Sequence, residues 1–337
     1  MQEPVESSGA TAAVCANCGA PLGGEYCAQC GERRMHPDEH TLRHVAGEWF
    51  EAFSHGEGRL FNSLRTLLFK PGELTREYFR GRRVPYTRPV ALFFAVNLLY
   101  FLLAVLQTFN TSLNTQLEMS PLVGVKQALV MRRVAAAPVS GAEAALLAGD
   151  YWRAENPSVA NAGKSAEPSA VVSADGAVPA RDAKTFAALQ SYGKRYDERT
   201  DALSRALVIA LVPMLACWLW LALAPWRRGL AELSIFATHT WAALLLILLV
   251  FGWAWTGLVH AMLWLRGELP AFLRTDLYGS ATLGLLILFY VYCALRNHFR
   301  FGWLGSGALC LWTMAGLYLS LELYRVLLFF VTVYALH

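Results

Sequence analysis

The chain has 337 residues, of which 55% are hydrophobic, 12% aromatic and only 16% charged. A soluble domain carries about 25% charge, and from Leu233 to Leu265 there is no Asp, Glu, Lys or Arg at all. Composition and arrangement exclude a wholly cytosolic enzyme, a secreted disulfide scaffold and, with a net charge of only +4, a nucleic-acid-binding globule.

Residues 1–13 read as a disordered tail. They lack the basic start and apolar core of a signal peptide, so the N-terminus is expected to stay in the cytoplasm. Residues 14–34 hold Cys15, Cys18, Cys27 and Cys30 in the order C-x2-C-x8-C-x2-C. In a reducing compartment these remain thiols, which favours metal over disulfide. Two C-x-x-C knuckles, each followed by a glycine (Gly19 and Gly31), supply four thiolates, which complete a tetrahedral zinc shell. No position is left for water or substrate, so one structural Zn2+ in a zinc ribbon is the expectation. His36, His40 and His44 follow at four-residue spacing, but Pro37 interrupts the first interval and no further ligand set lies nearby, so a solvated face is expected there.

Residues 41–88 are expected to form amphipathic helices on the membrane surface. Leu42, Val45, Ala46, Trp49 and Phe53 share one helical face, and Leu60, Phe61, Leu64, Leu67 and Leu68 share another, ended by Pro71 and Gly72. Between Arg59 and Arg88 there are eight basic residues against two acidic ones, Glu73 and Glu77. Such a cluster before a first span marks the cytoplasmic side, and Arg76, Arg80, Arg82, Arg83 and Arg88 are the candidates to face anionic headgroups.

About five transmembrane helices follow: 89–107, 206–226, 235–259, 277–295, and a last stretch over 301–337 that is long enough to break near 322–325. Between the first two lies an external loop, 108–205, with a low-complexity part at 135–183 that is expected to be disordered. The short turns carrying Arg227 and Arg228, and Arg296 and Arg300, agree with a cytoplasmic N-terminus and an external C-terminus in the inner (plasma) membrane. Within the spans the ionisable candidates are His239, Glu322 and Arg325, and the last two, three residues apart on a helix, can neutralise each other. Trp218, Trp220, Trp226, Trp253, Trp255 and Trp264 cluster near predicted span ends and read as interfacial anchors, while His260 and His298 fall at membrane edges. No nucleotide loop, metalloprotease helix or nucleophile elbow is present, so no catalytic residue is assigned.

These motifs carry a resemblance. Cys15 to Gly31, then Gly58 to Leu60, Thr66 to Gly72, Glu77 to Arg83 and Tyr86 to Pro89 resemble the bacterial DUF3667 family of uncharacterised membrane proteins. Val212 to Ala216 and Glu232 to His239 match more loosely, and where the family has a histidine after the position of Glu232 this chain has Leu233. The resemblance implies an all-α polytopic membrane protein with an N-terminal zinc ribbon and interfacial helices, and it supplies no activity. The expected function is that of an interaction, regulatory or scaffold protein whose ribbon docks a protein partner or orders the surface helices, with the lipid bilayer as the other partner. A small transporter or channel using His239, Glu322 and Arg325 is the alternative, and a lipid-modifying membrane enzyme is a third reading.

Overall fold

A computed structural model describes residues 14–32, 57–103, 108–118, 121–135, 147–149, 180–226, 228–270, 273 and 275–336. The tail, the three-histidine series, the first amphipathic stretch and most of the low-complexity segment lie outside them. Among the described residues the protein is all-α, and its one element of β pairing is an isolated bridge between Val14 and Pro21. The helices are α1 (Glu57–Phe69), α2 (Glu73–Phe79), α3 (Pro89–Leu103), α4 (Leu113–Glu118), α5 (Val123–Val134), α6 (Ala180–Leu207), α7 (Leu211–Leu223), α8 (Leu230–Arg266), α9 (Asp276–Phe299) and α10 (Trp303–Ala335). Four continuous helical segments, Lys184–Trp226, Leu230–Arg266, Leu277–Phe299 and Trp303–Ala335, are long and apolar enough to cross a bilayer, and Pro89–Leu103 is a shorter apolar helix. The chain is therefore a multi-pass membrane protein. The last segment runs unbroken through 322–325, and its 33 residues rise about 50 Å, more than the roughly 30 Å hydrocarbon core. No break is needed at Glu322, because Arg325 donates to it at 2.8 Å on the same helix face.

The chain divides into two compact units. The first comprises Met1–Leu106 and Leu211–Tyr318, the second Gln107–Ala210 and Leu319–His337.

In the first unit α8 is central. Every side chain from Ile235 to Leu249 is buried, as expected of a helix that is apolar all round and enclosed by others. α7 and α3 pack along it, and α2 packs at its start through Tyr78, Ala231 and Ile235. Tryptophans fix these contacts through their indole N–H groups. Trp241 donates to Leu211 O at 3.0 Å and Trp253 to Leu103 O at 2.9 Å. Trp218 and Trp312 stack at 4.5 Å and each donates to the other's carbonyl, at 2.9 and 3.2 Å. Gly316 makes room for that pair, since a Cβ there would stand 2.1 Å from the Trp218 ring. Trp218 and Trp253, expected as interfacial anchors, also join helices, since each indole donates to a backbone carbonyl of a neighbouring helix.

In the second unit Leu113, Leu117, Val130 and Met131 of α4 and α5 pack on Leu189, Tyr192 and Tyr196 of α6 and on Phe329 and Val333 of α10. Asp197 accepts from Leu113 N at 2.8 Å and so holds the start of α4. Lys126 of α5 is fully buried here. Its ammonium donates to Gln116 Oε1 and lies 5.1 Å from the centre of the Phe329 ring. Desolvation lowers its pKa from 10.5 to about 8, against the opposing pull of Glu322.

Because the folded pKa lies below the unfolded one, the unfolded chain binds more protons between about pH 8 and 10.5. Stability is therefore lowest below pH 8 and rises as pH climbs through that window, by about 3 kcal/mol in all. Lys126→Met leaves Gln116 short of one donor, so a net gain of only about 1–2 kcal/mol at neutral pH is expected, with the alkaline rise abolished. Thermal unfolding of the detergent-solubilised chain against pH checks both, and an alkaline rise that survives in the Met variant contradicts the assignment.

Candidate functional site

The two knuckles fold alike. Cys15 N donates to Ala20 O and Gly19 N to Cys15 O, while Cys27 N donates to Glu32 O and Gly31 N to Cys27 O, all at 2.8–2.9 Å. Gly19 and Gly31 close these turns with φ of +79° and +72°, a region that side chains with a Cβ rarely adopt. The result brings Cys15, Cys18, Cys27 and Cys30 together, with all four sulfurs within 4.8 Å of one another. Cys15 and Cys30 stand 3.6 Å apart, as do Cys18 and Cys27. Thiolates about 2.3 Å from a tetrahedral ion are separated by about 3.8 Å, so the quartet fits a metal ion in size and donor type. Hydrogen bonds from the Asn17 side chain and at the Glu32 backbone lower the Cys30 thiol to about 7, while its thiol neighbours push Cys18 up to about 12, so the four sulfurs share protons as one cluster.

Glu32 carries the ribbon's influence outward. Its backbone carbonyl closes the second knuckle on Cys27 N. Its carboxylate, only 7% exposed, accepts from both Arg83 N and Val84 N at 3.0 Å. One side chain thus joins the four-cysteine module to the segment between α2 and α3. That segment is also held from α1, where Asn62 donates to Pro85 O at 3.0 Å and Ser63 Oγ accepts from Thr87 N at 2.8 Å. The basic residues expected at the membrane surface are largely engaged here. Arg76 pairs with Glu73, Arg80 and Arg82 reach Glu77 at 2.9 and 3.5 Å, and the Arg83 guanidinium lies 4.2 Å over the Tyr78 ring. Arg88 is exposed at the foot of α3.

A second constellation lies where α1 and α2 meet α8 and α9. The Pro71–Gly72 turn is bound to α9 by Asn297 Nδ2, which donates to Pro71 O at 2.9 Å, and by Tyr290 OH, which donates to Leu67 O at 2.6 Å. Gly72, with φ of +78°, presses against the backbone of Ala294. Beneath the turn, Thr75 Oγ1 meets His239 Nδ1 at 2.9 Å, and both residues are buried. Nearby, Glu232 accepts from Arg228 at 2.9 Å and from His298 Nε2 at 3.0 Å, and Phe236 stacks on the His298 ring. His298, placed at a membrane edge by the sequence, is thus enclosed and paired. The signal was available as a histidine and an acid near facing helix ends on one side of the membrane. Of the three intramembrane candidates, His239 belongs to the first unit and the Glu322–Arg325 pair to the second.

No curated protein and no solved structure matches the chain. Residues 57–101, which include both helices of the Pro71–Gly72 hairpin and most of α3, match the model of a family described as a protein of unknown function, DUF3667. The cysteine quartet lies just before that stretch, and over residues 57–101 the chain is similar to the DUF3667 family.

Proposed function

We propose that the protein is a membrane-anchored regulatory or scaffold protein in which Cys15, Cys18, Cys27 and Cys30 hold one structural zinc ion. The ribbon faces the cytoplasm of a bacterial cell, fixes the surface segment between α2 and α3, and docks a protein partner. The observation that carries this reading is the double hydrogen bond from Arg83 N and Val84 N to Glu32. It ties the metal module to the part of the chain that the family shares. A closed shell of four thiolates has no open coordination position, which favours a structural role over a catalytic one. The transport reading has weaker support, because Arg325 already neutralises Glu322.

Glu32→Ala separates the two roles of the ribbon. The four ligands remain, so metal content is expected to stay at about one equivalent. The two amides lose a charge-assisted acceptor, so trypsin cleavage at Arg82 and Arg83 is expected to rise about tenfold. Native co-purification followed by mass spectrometry should then show a partner held by wild type and lost from both Glu32→Ala and Cys27→Ser. A partner complex that survives in both variants overturns the docking role.

A further inference from the structure

Helix α1 is built inside out for water. Phe61, Arg65 and Phe69, four residues apart, share one face. Phe61 and Phe69 are 72% and 73% exposed, and Arg65 stands exposed between them. The opposite face buries Ser63, Thr66 and Leu67. The Ser63 hydroxyl is used there, donating to Arg59 O and accepting from Thr87 N. A helix on a water-facing surface turns its apolar stripe inward and its polar face outward. One that shows two phenylalanines and tucks in two hydroxyls suits an apolar surround.

The position of α1 is fixed at both ends. Near its start, Asn62 and Ser63 bond to Pro85 and Thr87, just ahead of α3. At its end, Tyr290 OH of α9 donates to Leu67 O. Tyr290 lies nine residues before Phe299, where α9 ends, or about 14 Å along the axis. The 24 residues of α9 rise about 36 Å, so it overhangs a roughly 30 Å hydrocarbon core by only a few ångströms at each end. Leu67 therefore stands at the depth of acyl chains. The α9 side chains just before Tyr290 that face outward are apolar as well: Leu285, Leu286 and Phe289 are exposed.

The cations of α1 complete the pattern. Arg76, Arg80 and Arg82 of the following segment are paired with Glu73 and Glu77. Arg59, Arg65 and Lys70 are exposed and make no ion pair among the described residues. A guanidinium between two lipid-facing rings extends its stem along apolar surface and carries its head to the phosphate level.

We propose that α1 lies in the leaflet at the Arg296–Arg300 end of α9 and binds anionic lipid there. Phe61 and Phe69 enter the acyl chains, Arg65 reaches a lipid phosphate, and Arg59 and Lys70 flank it. This surface is separate from the cysteine ribbon and stands whether or not the ribbon docks a partner.

Two measurements on the full chain test it. In native mass spectrometry, wild type should retain phosphatidylglycerol over phosphatidylcholine. Arg65→Gln should weaken that preference about fivefold, and the triple variant Arg59→Gln, Arg65→Gln, Lys70→Gln at least about tenfold. Arg132→Gln removes an equal charge from an exposed site on α5 and should leave the preference in place. In the second measurement, p-benzoylphenylalanine replaces Phe61 or Phe69 and is irradiated in isolated cell membranes. Adducts of the mass of one lipid are expected at both positions. A protein adduct or none at all, equal retention of the two lipids by wild type, or a preference that survives in the triple variant or falls equally in Arg132→Gln overturns the proposal.

Discussion

Cys27→Ser is expected to reduce metal content from about one equivalent to near zero and to loosen the segment around Arg83 in the same step. A serine hydroxyl does not ionise near neutral pH, so the shell falls to three thiolates. The module has almost nothing else to hold it: among the hydrophobic side chains of residues 14–32, only those of Cys15 and Cys27 are buried. Structural zinc in such modules supplies about 10–16 kcal/mol of apparent folding free energy, and loss of one ligand forfeits most of it. The turn in which Cys27 N donates to Glu32 O then opens, and the Glu32 carboxylate leaves Arg83 N and Val84 N. Hydrogen exchange read at those two amides should accelerate at least about tenfold. Amides at Asn62 and Ser63, inside α1, should hold their protection because their own helix bonds persist. Retained metal, or unchanged exchange at Arg83 and Val84, contradicts the linkage.

Gly72→Ala is expected to destabilise the first unit by about 2–4 kcal/mol, a large effect for one methyl group. Two costs combine. The residue has φ of +78°, and a Cβ would stand 2.4 Å from the carbonyl oxygen of Ala294. That obstacle is backbone and cannot rotate aside, so the hairpin must lift from α9. The bonds from Asn297 to Pro71 O and from Tyr290 to Leu67 O go with it, and Thr75 is drawn away from His239. Gly58→Ala is the matched control. Nothing lies within 4 Å of its Cβ position, and alanine there favours the helix by up to about 1 kcal/mol. Thermal unfolding of both variants in one detergent checks the contrast, and equal midpoints would contradict it.

The features legible in the sequence are those imposed locally or by the solvent. Ligand spacing reveals Cys15, Cys18, Cys27 and Cys30 because each knuckle closes on itself within a few residues. The bilayer requires long apolar helices, so α8 and α10 announce themselves by composition. Contacts set by docking left no local trace. Thr75 and His239 are 164 residues apart, and Glu32 and Arg83 are 51 apart. In each case the partner depends on which face of α2 or its loop meets another element. The helices of the second unit were hidden for another reason. Leu113 with Leu117 and Val130 with Met131 give short apolar marks in a polar stretch, and they acquire meaning only against Tyr192, Tyr196 and Phe329. The arginines before α3 also carry contacts that charge alone does not reveal, since Glu73, Glu77 and Tyr78 engage four of them within the protein.

The Trp218–Trp312 pair has an optical consequence. Two indoles stacked at 4.5 Å with 15° between their planes couple their electronic transitions, which gives an exciton couplet in circular dichroism and quenched emission from both rings. The couplet disappears once the rings part by a few ångströms. The chain thus carries a label-free gauge of the α7–α10 contact, and its amplitude registers whether those helices remain closed in a given detergent or lipid.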